Sequence, residues 1–435
     1  HFYRDRNSPG SFFDYDNDGL LDLFVTNVGR YTRSLWDYFR QDRTEPDIRL
    51  QRAEQSILLK NMGSKKFRDV TREAGLVDLG WNGDAGFADL TGDSYPDVYV
   101  LNMEGPNRYY ENKGGSSFVE KTERYFPKTP WGAMGLKFFD YNNDGLMDLY
   151  VTDMHSDMAA PQAAAEEKQK SAIVPSDEYL QGGANNVFGN AFYQNLGNGR
   201  FREVSDALNL ETYWPWGPSV GDLNADGYED VFIAAGMGGR FRYGINSLLL
   251  NNRGERFLDS EFLLGIEPRE SGGLTQQRVA IDCTGAGRRF GRCGDRRTGR
   301  MSVFSSASSR SSAMFDADND GDLDIVTNEF DAPPQVFISD LAERKKINFV
   351  KINLAGTVSN RNGLGAKVTL HAGGSLQTRY VDGKSGYLSQ SQMPLYFGLG
   401  ESQNVDSIEV RWPSGKRQVL TRDIPVNTLF TIREP

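Results

Sequence analysis

A nine-residue pattern of alternating aspartates occurs five times and limits what this chain can fold into. It begins as DYDNDGLLD at Asp14 and returns as DLTGDSYPD at Asp89, DYNNDGLMD at Asp140, DLNADGYED at Asp222 and DADNDGDLD at Asp316. Oxygen-bearing side chains occupy positions 1, 3, 5 and 9, and glycine occupies position 6 in four of the five copies. Ca²⁺ takes six to eight oxygens at roughly 2.3–2.6 Å, and a loop turned by glycine can aim alternate side chains and the position 7 carbonyl at one ion. Without a cation the clustered carboxylates would repel one another.

The residues around each loop favour a β-hairpin over an EF-hand. An EF-hand needs glutamate at position 12 and a helix on each side of the loop. Position 12 is Val25, Val100, Val151, Ile233 and Thr327 in the five copies. The flanking segments, such as SFFDY before the first loop and LDLFVTN after it, are short and rich in aromatic and β-branched residues. Each loop is therefore predicted to be the turn of a hairpin.

A second hairpin signal follows four of the loops and predicts the fold. A strand ending in Asn, a Gly-containing turn and a Phe-led strand recur at residues 56–71, 107–122, 190–205 and 246–261. Each unit then holds four antiparallel strands, and tandem four-stranded units are the blades of a β-propeller. The chain is predicted to be all-β, with five blades counted. Residues 265–310, with RVAID and RMSVFS as strands, are an alternative degenerate sixth blade.

The pattern divides the chain into two predicted domains. Residues 1–345 form the propeller, with insertions at 31–55, 155–189 and 265–310; the first two contain segments with helix-forming composition. Residues 346–435 lack the aspartate loop and contain short strands such as FVKINLAG and DSIEVRWP between Gly or Pro turns. This composition predicts a small β-sandwich or barrel.

The two halves resemble two known families. The aspartate loops inside hairpins resemble the FG-GAP/VCBS repeats of α-integrin-type propellers. The C-terminal motifs NRNGLGAKV, GYLSQS, FGLG and VRWPSGK resemble the ASPIC/UnbV domain found in cartilage acidic protein and many bacterial homologues. The resemblance implies a secreted calcium-binding propeller, commonly of seven blades, with a C-terminal β-domain and no established enzymatic activity.

Ligands for about five calcium ions are assigned by position in the pattern. The alternative is that the loops are solvated Asp/Asn/Gly turns without metal. Loop two departs from the pattern, with Thr91 at position 3 and Ser94 in place of glycine, and is expected to bind most weakly. The predicted ligands, with the position 7 residue contributing its carbonyl, are Asp14, Asp16, Asp18, Leu20 and Asp22; Asp89, Thr91, Asp93, Tyr95 and Asp97; Asp140, Asn142, Asp144, Leu146 and Asp148; Asp222, Asn224, Asp226, Tyr228 and Asp230; and Asp316, Asp318, Asp320, Asp322 and Asp324.

Charge and cysteine content favour an extracellular, cell-surface or periplasmic location. The net charge of −10 argues against general nucleic-acid binding, and no apolar run is long enough to span a membrane. We interpret Cys283 and Cys293 as a local disulfide formed in an oxidising compartment, the alternative being two free thiols in a cytosolic loop. Because the chain starts at His1 just before a repeat, it is expected to be a mature or trimmed product.

Two surfaces are candidates for binding a protein or glycan partner. Tryptophans precede three predicted first strands, and at the mouth of the channel they would stack on a sugar or grip a loop; packing between blades is the alternative. A basic run at residues 288–300 would bind sulfate, phosphate or carboxylate groups, or be a solvated loop. The residues concerned are Trp81, Trp131, Trp214 and Trp216, and Arg288, Arg289, Arg292, Arg296 and Arg297.

The sequence favours an adhesion or interaction module over two other classes. No GxSxG, HExxH or P-loop motif is present, and every dense aspartate cluster is explained by calcium, so no catalytic residue is assigned. One alternative is a structural subunit of an extracellular assembly that docks through the insertions. The second alternative is a carbohydrate-active enzyme that uses aspartate pairs.

Overall fold

The computed structural model describes residues 10–27, 55–78, 80–103, 105–154, 168, 186–187, 189–236, 244–269, 275–284, 299–306, 308–329 and 332–435. The predicted helical segments in the 31–55 and 155–189 insertions lie outside these residues. None of the helices in the described part of the chain is long and apolar enough to cross a membrane. The protein is all-β with four-stranded antiparallel sheets, as predicted.

Four sheets of the propeller contain four strands each, and all four follow the predicted order. In each sheet the strands pair in sequence from first to last, and the first two are joined by an aspartate loop. The strands are β1 Gly10–Phe13, β2 Asp22–Val25, β3 Ile57–Asn61 and β4 Phe67–Asp69; β5 Asn82–Ala88, β6 Asp97–Asn102, β7 Arg108–Asn112 and β8 Phe118–Glu120; β10 Ala133–Phe139, β11 Asp148–Asp153, β13 Ala191–Asn195 and β14 Phe201–Glu203; and β15 Pro215–Gly221, β16 Asp230–Ala235, β17 Ser247–Asn251 and β18 Phe257–Asp259.

The fifth sheet has three strands: β21 Ser309–Phe315, β22 Asp324–Glu329 and β23 Gln335–Phe337. Residues 265–310 do contain a hairpin, β19 Thr275–Asp282 paired with β20 Arg300–Ser306. However, β21 packs directly against β15 of the preceding sheet. The hairpin is therefore an insertion between consecutive blades, and the interpretation as a degenerate sixth blade is wrong.

Short elements complete the propeller. Strands β9 Thr129–Pro130 and β12 Asn186–Val187 form a two-residue parallel pair. One-turn helices follow β8, β14 and β23: α1 Thr122–Tyr125, α2 Ser205–Leu208 and α3 Leu341–Arg344.

The blades pack face to face through a series of apolar layers. Stacked Phe13 and Phe87 join the first two sheets, with ring centroids 3.8 Å apart. Separate clusters join the second sheet to the third, the third to the fourth and the fourth to the fifth. The first strands β1, β5, β10, β15 and β21 lie in this order side by side. Strands β5 and β10 are nearly continuous buried runs, because both of their faces are covered by neighbouring blades.

Seven strands after residue 348 form two further sheets. Their residues are β24 Phe349–Ala355, β25 Lys367–Ala372, β26 Ser375–Tyr380, β27 Leu395–Gly398, β28 Ser407–Arg411, β29 Arg417–Leu420 and β30 Leu429–Arg433. One sheet has the order β27-β24-β30 and the other β26-β25-β28-β29. Buried residues from both sheets, including Val350, Val368 and Trp412, form one core between them. Strand β29 was not predicted, because its sequence RQVL is too short and too polar to give a strand signal.

A segment of this C-terminal unit reaches the inner strands of all five blades. We call residues 382–391 the axial segment. Gln390 exchanges side-chain hydrogen bonds with the backbone of Phe12 in β1, at 2.7 and 3.0 Å. Lys384 bonds to Asp84 in β5 and Asp382 to Lys137 in β10. The backbone N–H of Gly386 donates to Pro218 in β15, and that of Tyr387 donates to Ser311 in β21.

The Lys384–Asp84 ion pair is the most deeply buried link to this segment. Nζ and Oδ1 are 2.6 Å apart, and the side chains are 3% and 1% exposed. Because neither charge can be hydrated, each depends on the other for stabilisation.

Asp84→Ala is expected to lower the free energy of unfolding by about 3–5 kcal/mol, since it strands a buried ammonium. The double variant Asp84→Leu/Lys384→Met should recover most of that loss, because no buried charge remains. Asp340→Ala, which breaks an exposed pair with Arg344, is the control and should change stability by less than about 1 kcal/mol. Urea unfolding of the three variants measures the difference, and equal losses in the single and double variants would contradict this interpretation.

Candidate metal loops

Hairpin register places the first and last carboxylates of each loop close together. In the first sheet Phe13 pairs with Asp22, so Asp14 follows the last paired residue of β1 and Asp22 begins β2. The same pairing occurs between Phe139 and Asp148 in the third sheet. Both carboxylates therefore stand at the mouth of the turn, and the intervening residues arch over them.

The carboxylate at position 1 is held by backbone N–H groups of its own loop. Asp14 accepts hydrogen bonds from Asp18 and Gly19, at 3.0 and 2.9 Å. Asp140 and Asp222 accept equivalent bonds from positions 5 and 6 of their loops. Such bonds favour the ionised carboxylate and fix its orientation, while each oxygen keeps a lone pair for a cation.

The carboxylate at position 9 ties the loop hairpin to the third strand. Asp230 accepts from the backbone N–H of Leu223 at 2.8 Å and from that of Asn251 at 2.7 Å. Asp22, Asp97 and Asp148 make the matching pair of bonds in their sheets. The Asn that ends each predicted third strand is thus part of the loop structure.

This asparagine also connects neighbouring blades. Asn251 Nδ2 donates to the carbonyl of Tyr141, which is position 2 of the loop in the preceding blade, at 2.8 Å. Asn112 Nδ2 donates to Tyr15 in the same way, also at 2.8 Å. Loops one and two are therefore linked to each other, as are loops three and four.

The glycine position has the left-handed backbone that the pattern requires. Position 6 has φ of 87° at Gly19, 86° at Gly145, 97° at Gly227 and 107° at Gly321. Ser94 has φ of 75° at the same position of loop two. A side chain is strained in this region, so loop two departs from the other four at the residue that the sequence had indicated.

The predicted ligand oxygens gather, and some lack a hydrogen-bond partner. Carboxylate oxygens of Asp14, Asp16 and Asp18 lie within 4.8 Å of one another, as do those of Asp316, Asp318 and Asp324. Within the described residues, Oδ1 of Asp16 and Oδ1 of Asp316 are buried without a hydrogen-bond donor. A cluster of carboxylates that includes such oxygens fits a hard cation.

Burial raises the pKa of the carboxyls at positions 1 and 9 of loops one to four. Desolvation is the largest cause, and the pKa of Asp14, Asp22, Asp97 and Asp222 rises from 3.8 to about 7. Backbone hydrogen bonds oppose the rise in each case, and neighbouring aspartates add to it. Buried ionised carboxylates are thus costly unless a cation compensates for the lost hydration.

Two lysines outside the pattern enter the loops, and the motif-based assignment missed both. Lys60, in β3, forms ion pairs with Asp16 and, at 3.4 Å, with Asp18. Lys351, in β24 of the C-terminal unit, forms an ion pair with the buried carboxylate of Asp316. The sequence gives no signal for Lys351, since only tertiary packing brings it to loop five.

The C-terminal unit covers the face of the propeller on which all five loops lie. Lys367 Nζ donates to the Gly145 carbonyl of loop three at 2.5 Å. The Gly398 N–H donates to Asp222 of loop four at 3.1 Å, and Tyr396 OH donates to Gly321 of loop five at 3.0 Å. Loop one touches Val358 at Gly19, and Asp89 of loop two lies near Tyr380.

The predicted partner-binding residues have different fates. Trp131 and Trp214 are 0% and 9% exposed, so for these two the packing alternative describes the structure. Trp216 and Trp81 are partly exposed, and Arg310 stacks over Trp216 at 4.1 Å from the ring centroid. Arg288, Arg289, Arg292, Arg296 and Arg297 lie outside the described residues. Cys283 is buried, but Cys293 is outside the described residues, so their disulfide stays a prediction.

Comparison with known families identifies both parts of the chain. Residues 89–151 and 177–233 match the FG-GAP-like repeat, and residues 356–435 match the ASPIC and UnbV family. This is an FG-GAP-repeat protein with an ASPIC/UnbV domain. The resemblance inferred from the loops and the C-terminal motifs is thereby confirmed.

Curated relatives extend over nearly the whole chain at low identity. Cartilage acidic protein 1 of Mus musculus is 23% identical over 94% of this chain and 53% of its own length. The Homo sapiens protein is 22% identical over 93% of this chain and 51% of its own length. The FG-GAP protein described here thus spans about half the length of these relatives. Cartilage acidic protein 1 of Xenopus tropicalis is 32% identical over 28% of the chain.

Two solved structures are only distantly similar. The V. cholerae biofilm matrix protein Bap1 is 9% identical, with a TM-score of 0.28 over 96% of this chain and 59% of its own. The rhamnogalacturonan lyase YesW is 12% identical, with a TM-score of 0.22 over 96% of this chain and 64% of its own. Scores this low carry no argument about function.

The raised pKa values predict how stability changes with pH when metal is removed. A carboxyl with a pKa near 3.8 when unfolded and about 7 when folded binds more protons in the folded state between those values. Stability in chelator should therefore fall as pH rises from about 4 to about 7. With calcium bound, the fall should be much smaller because the ion stabilises the ionised form. Melting temperatures between pH 5 and 8 in chelator and in calcium measure this, and identical slopes in the two buffers would contradict it.

Proposed function

We propose that this protein is a calcium-stabilised, extracellular interaction module that binds a protein or glycan partner without catalysing a reaction. The observation that carries the proposal is the convergence of five acidic loops on one face. Each loop is bonded to its own blade, and loops three, four and five are also bonded to the C-terminal domain. A module of this kind would present a rigid surface to its partner, and its rigidity would depend on the metal.

Calcium is the ion that best suits the donor set. All the candidate side-chain ligands are carboxylate, amide or hydroxyl oxygens, and the position 7 carbonyl completes each set. Soft metals prefer thiolate or imidazole ligands, which these loops do not contain. The loops hold their first and last carboxylates in place by backbone hydrogen bonds, so bound Ca²⁺ would neutralise charges that already face one another.

The face opposite the loops is the favoured site for a partner. The ASPIC/UnbV domain covers the loop face, and the axial segment occupies the space between the inner strands. Trp216 is near the start of β15, whereas loop four begins at the end of that strand, so Trp216 and Arg310 lie away from the covered face. Asn27 and Met154, the last described residues before the 31–55 and 155–189 insertions, follow strands that run toward the same side.

Extracellular action is supported by two further observations. Loops of this type in extracellular modules can be filled at the high calcium concentrations found outside cells. The second is that the similar curated proteins are named cartilage acidic protein 1.

The chemistry of the exposed surface suits a protein or glycan partner, because an aromatic ring backed by an arginine can stack on a sugar or contact a peptide.

Calcium is expected to raise the melting temperature of the protein. Lys351 is expected to weaken calcium binding at loop five. Lys351→Met removes the ammonium that occupies the Asp316 carboxylate, so affinity at that loop should increase by about tenfold. Lys345→Met is the control, since Lys345 reaches loop four only at the carbonyl of Asn224. Isothermal titration and thermal melts test this. Equal melts of the wild type with calcium and with chelator would contradict the proposed calcium role.

Trp216→Ala is expected to weaken partner binding by about tenfold or more, as is usual for a buried aromatic anchor at an interface. Immobilised protein can be tested against a glycan panel and against matrix extract, in calcium and in chelator. Val419→Ala, on an exposed strand of the C-terminal domain, is the control and should bind as wild type. Undiminished binding by the Trp216 variant would place the partner site elsewhere.

A further inference from the structure

In the part of the chain that the structure describes, the last blade has no outer strand like those of the other four blades. Its sheet ends at β23, Gln335–Phe337. Among the described residues, no strand pairs with the outer edge of β23. An edge of this kind is a template for a strand from another chain.

One register position shows how unusual this edge is. Leu58, Tyr109, Phe192 and Leu248 each lie opposite the third residue of the second strand in their sheets. Their exposed fractions are 0%, 0%, 0% and 2%. Val336 lies opposite Val326, the same position in the last sheet, and is 56% exposed. Ile338, two residues further along, is 54% exposed. A buried position of the repeat has therefore become an apolar surface.

In the other four blades the side chain at this position packs against the next blade, while its backbone bonds to the outer strand. In the first blade the carbonyl of Leu58 accepts from the Val70 N–H at 3.0 Å, and the Leu58 N–H donates to Thr71 Oγ1 at 2.8 Å. In the second blade Tyr109 makes the same two bonds, with Lys121 and Thr122. The third and fourth blades keep the first bond and use a glutamate, Glu203 or Glu261, for the second.

The four outer strands share a sequence that defines what β23 would accept. They read FRDVT, FVEKT, FREVS and FLDSE, from Phe67, Phe118, Phe201 and Phe257 respectively. Phenylalanine is followed two residues later by an acid, and two residues later again by threonine, serine or glutamate. In the first blade, Phe67 pairs with Asn61 at the end of the third strand. Asp69 pairs with Leu59, two residues earlier in that strand.

We propose that the outer edge of β23 is a docking site for an extended strand of a partner protein with the pattern Phe-x-Asp/Glu-x-Thr/Ser. The strand adds antiparallel to β23, with phenylalanine opposite Ser339 and the acidic residue opposite Phe337. The residue after the acid donates its N–H to the Val336 carbonyl, and the hydroxyl accepts the Val336 N–H. Main-chain bonds supply affinity, and burial of Val336 and Ile338 adds to it. The site borders loop five, since the Ser339 N–H donates to Asp324 Oδ1 at 2.8 Å. Strand addition nevertheless uses β23 and none of the predicted metal ligands, so it does not depend on the proposed function.

A peptide copied from the first blade provides a direct test. The probe is KKFRDVTRE, residues 65–73 of this chain, labelled with a fluorophore and titrated with the whole protein in calcium. We expect saturable binding with a dissociation constant in the micromolar range, on the order of 1–100 μM. Hydrogen exchange should slow at residues 335–339 when the peptide is bound.

Matched variants separate strand addition from nonspecific contact. A peptide with proline in place of Arg68 lacks the backbone N–H at that position and cannot complete the hydrogen-bond ladder. The Val336→Asp protein carries a charge on the apolar edge. Each change should weaken peptide binding by about tenfold or more. Val419→Asp, at a valine 48% exposed in the edge strand β29, should bind the peptide as wild type. The proposal is overturned by no binding at roughly 1 mM peptide, or by unchanged binding to a folded Val336→Asp protein.

Discussion

The structure depends on the way buried aspartates are held by backbone N–H groups at each hairpin turn. The first carboxylate of a loop fixes the arch of its own turn, and the last carboxylate fixes the third strand. An apolar layer alone would let neighbouring sheets slide, because dispersion and hydrophobic burial have little directional preference. The aspartate bonds are directional, so they set register within each blade.

Burying these aspartates costs electrostatic free energy, so the stability of the fold depends on cations near the carboxylates. Burial makes the ionised carboxylates unfavourable, as the pKa of about 7 at Asp14 and Asp222 shows. Protons, lysine ammonium groups and metal ions can each reduce the cost. Lys60 and Lys351 occupy two of the loops in this way, whereas the Asp222 carboxylate of loop four accepts a backbone N–H from the C-terminal domain. The loops thus have similar ligand residues but differ in the protein groups that would compete with a metal ion for them.

The ASPIC/UnbV domain acts as part of the propeller and not as an appended module. It lies over the five loops and sends its axial segment between the inner strands, where Lys384 meets Asp84 and Asp382 meets Lys137. The motif GYLSQS, which carried much of the family resemblance, lies in this segment. A Cβ at Gly386 would clash with Ser311 and Ser312, and Tyr387 beside it packs against Trp216. The candidate metal loops and the docked domain share one surface.

Local sequence determined the hairpins, the loop geometry and the class of fold, because each depends on residues within a few positions of one another. Alternating aspartates with glycine or Ser94 at position 6 specify the turn, and β-branched residues on either side specify strands. Tertiary structure alone decided which elements meet: that the 275–306 hairpin stands apart from the blades, that Lys351 reaches Asp316, and that Trp131 is buried while Trp216 is partly exposed. These contacts join residues far apart in sequence, and their energies depend on packing that no local pattern encodes.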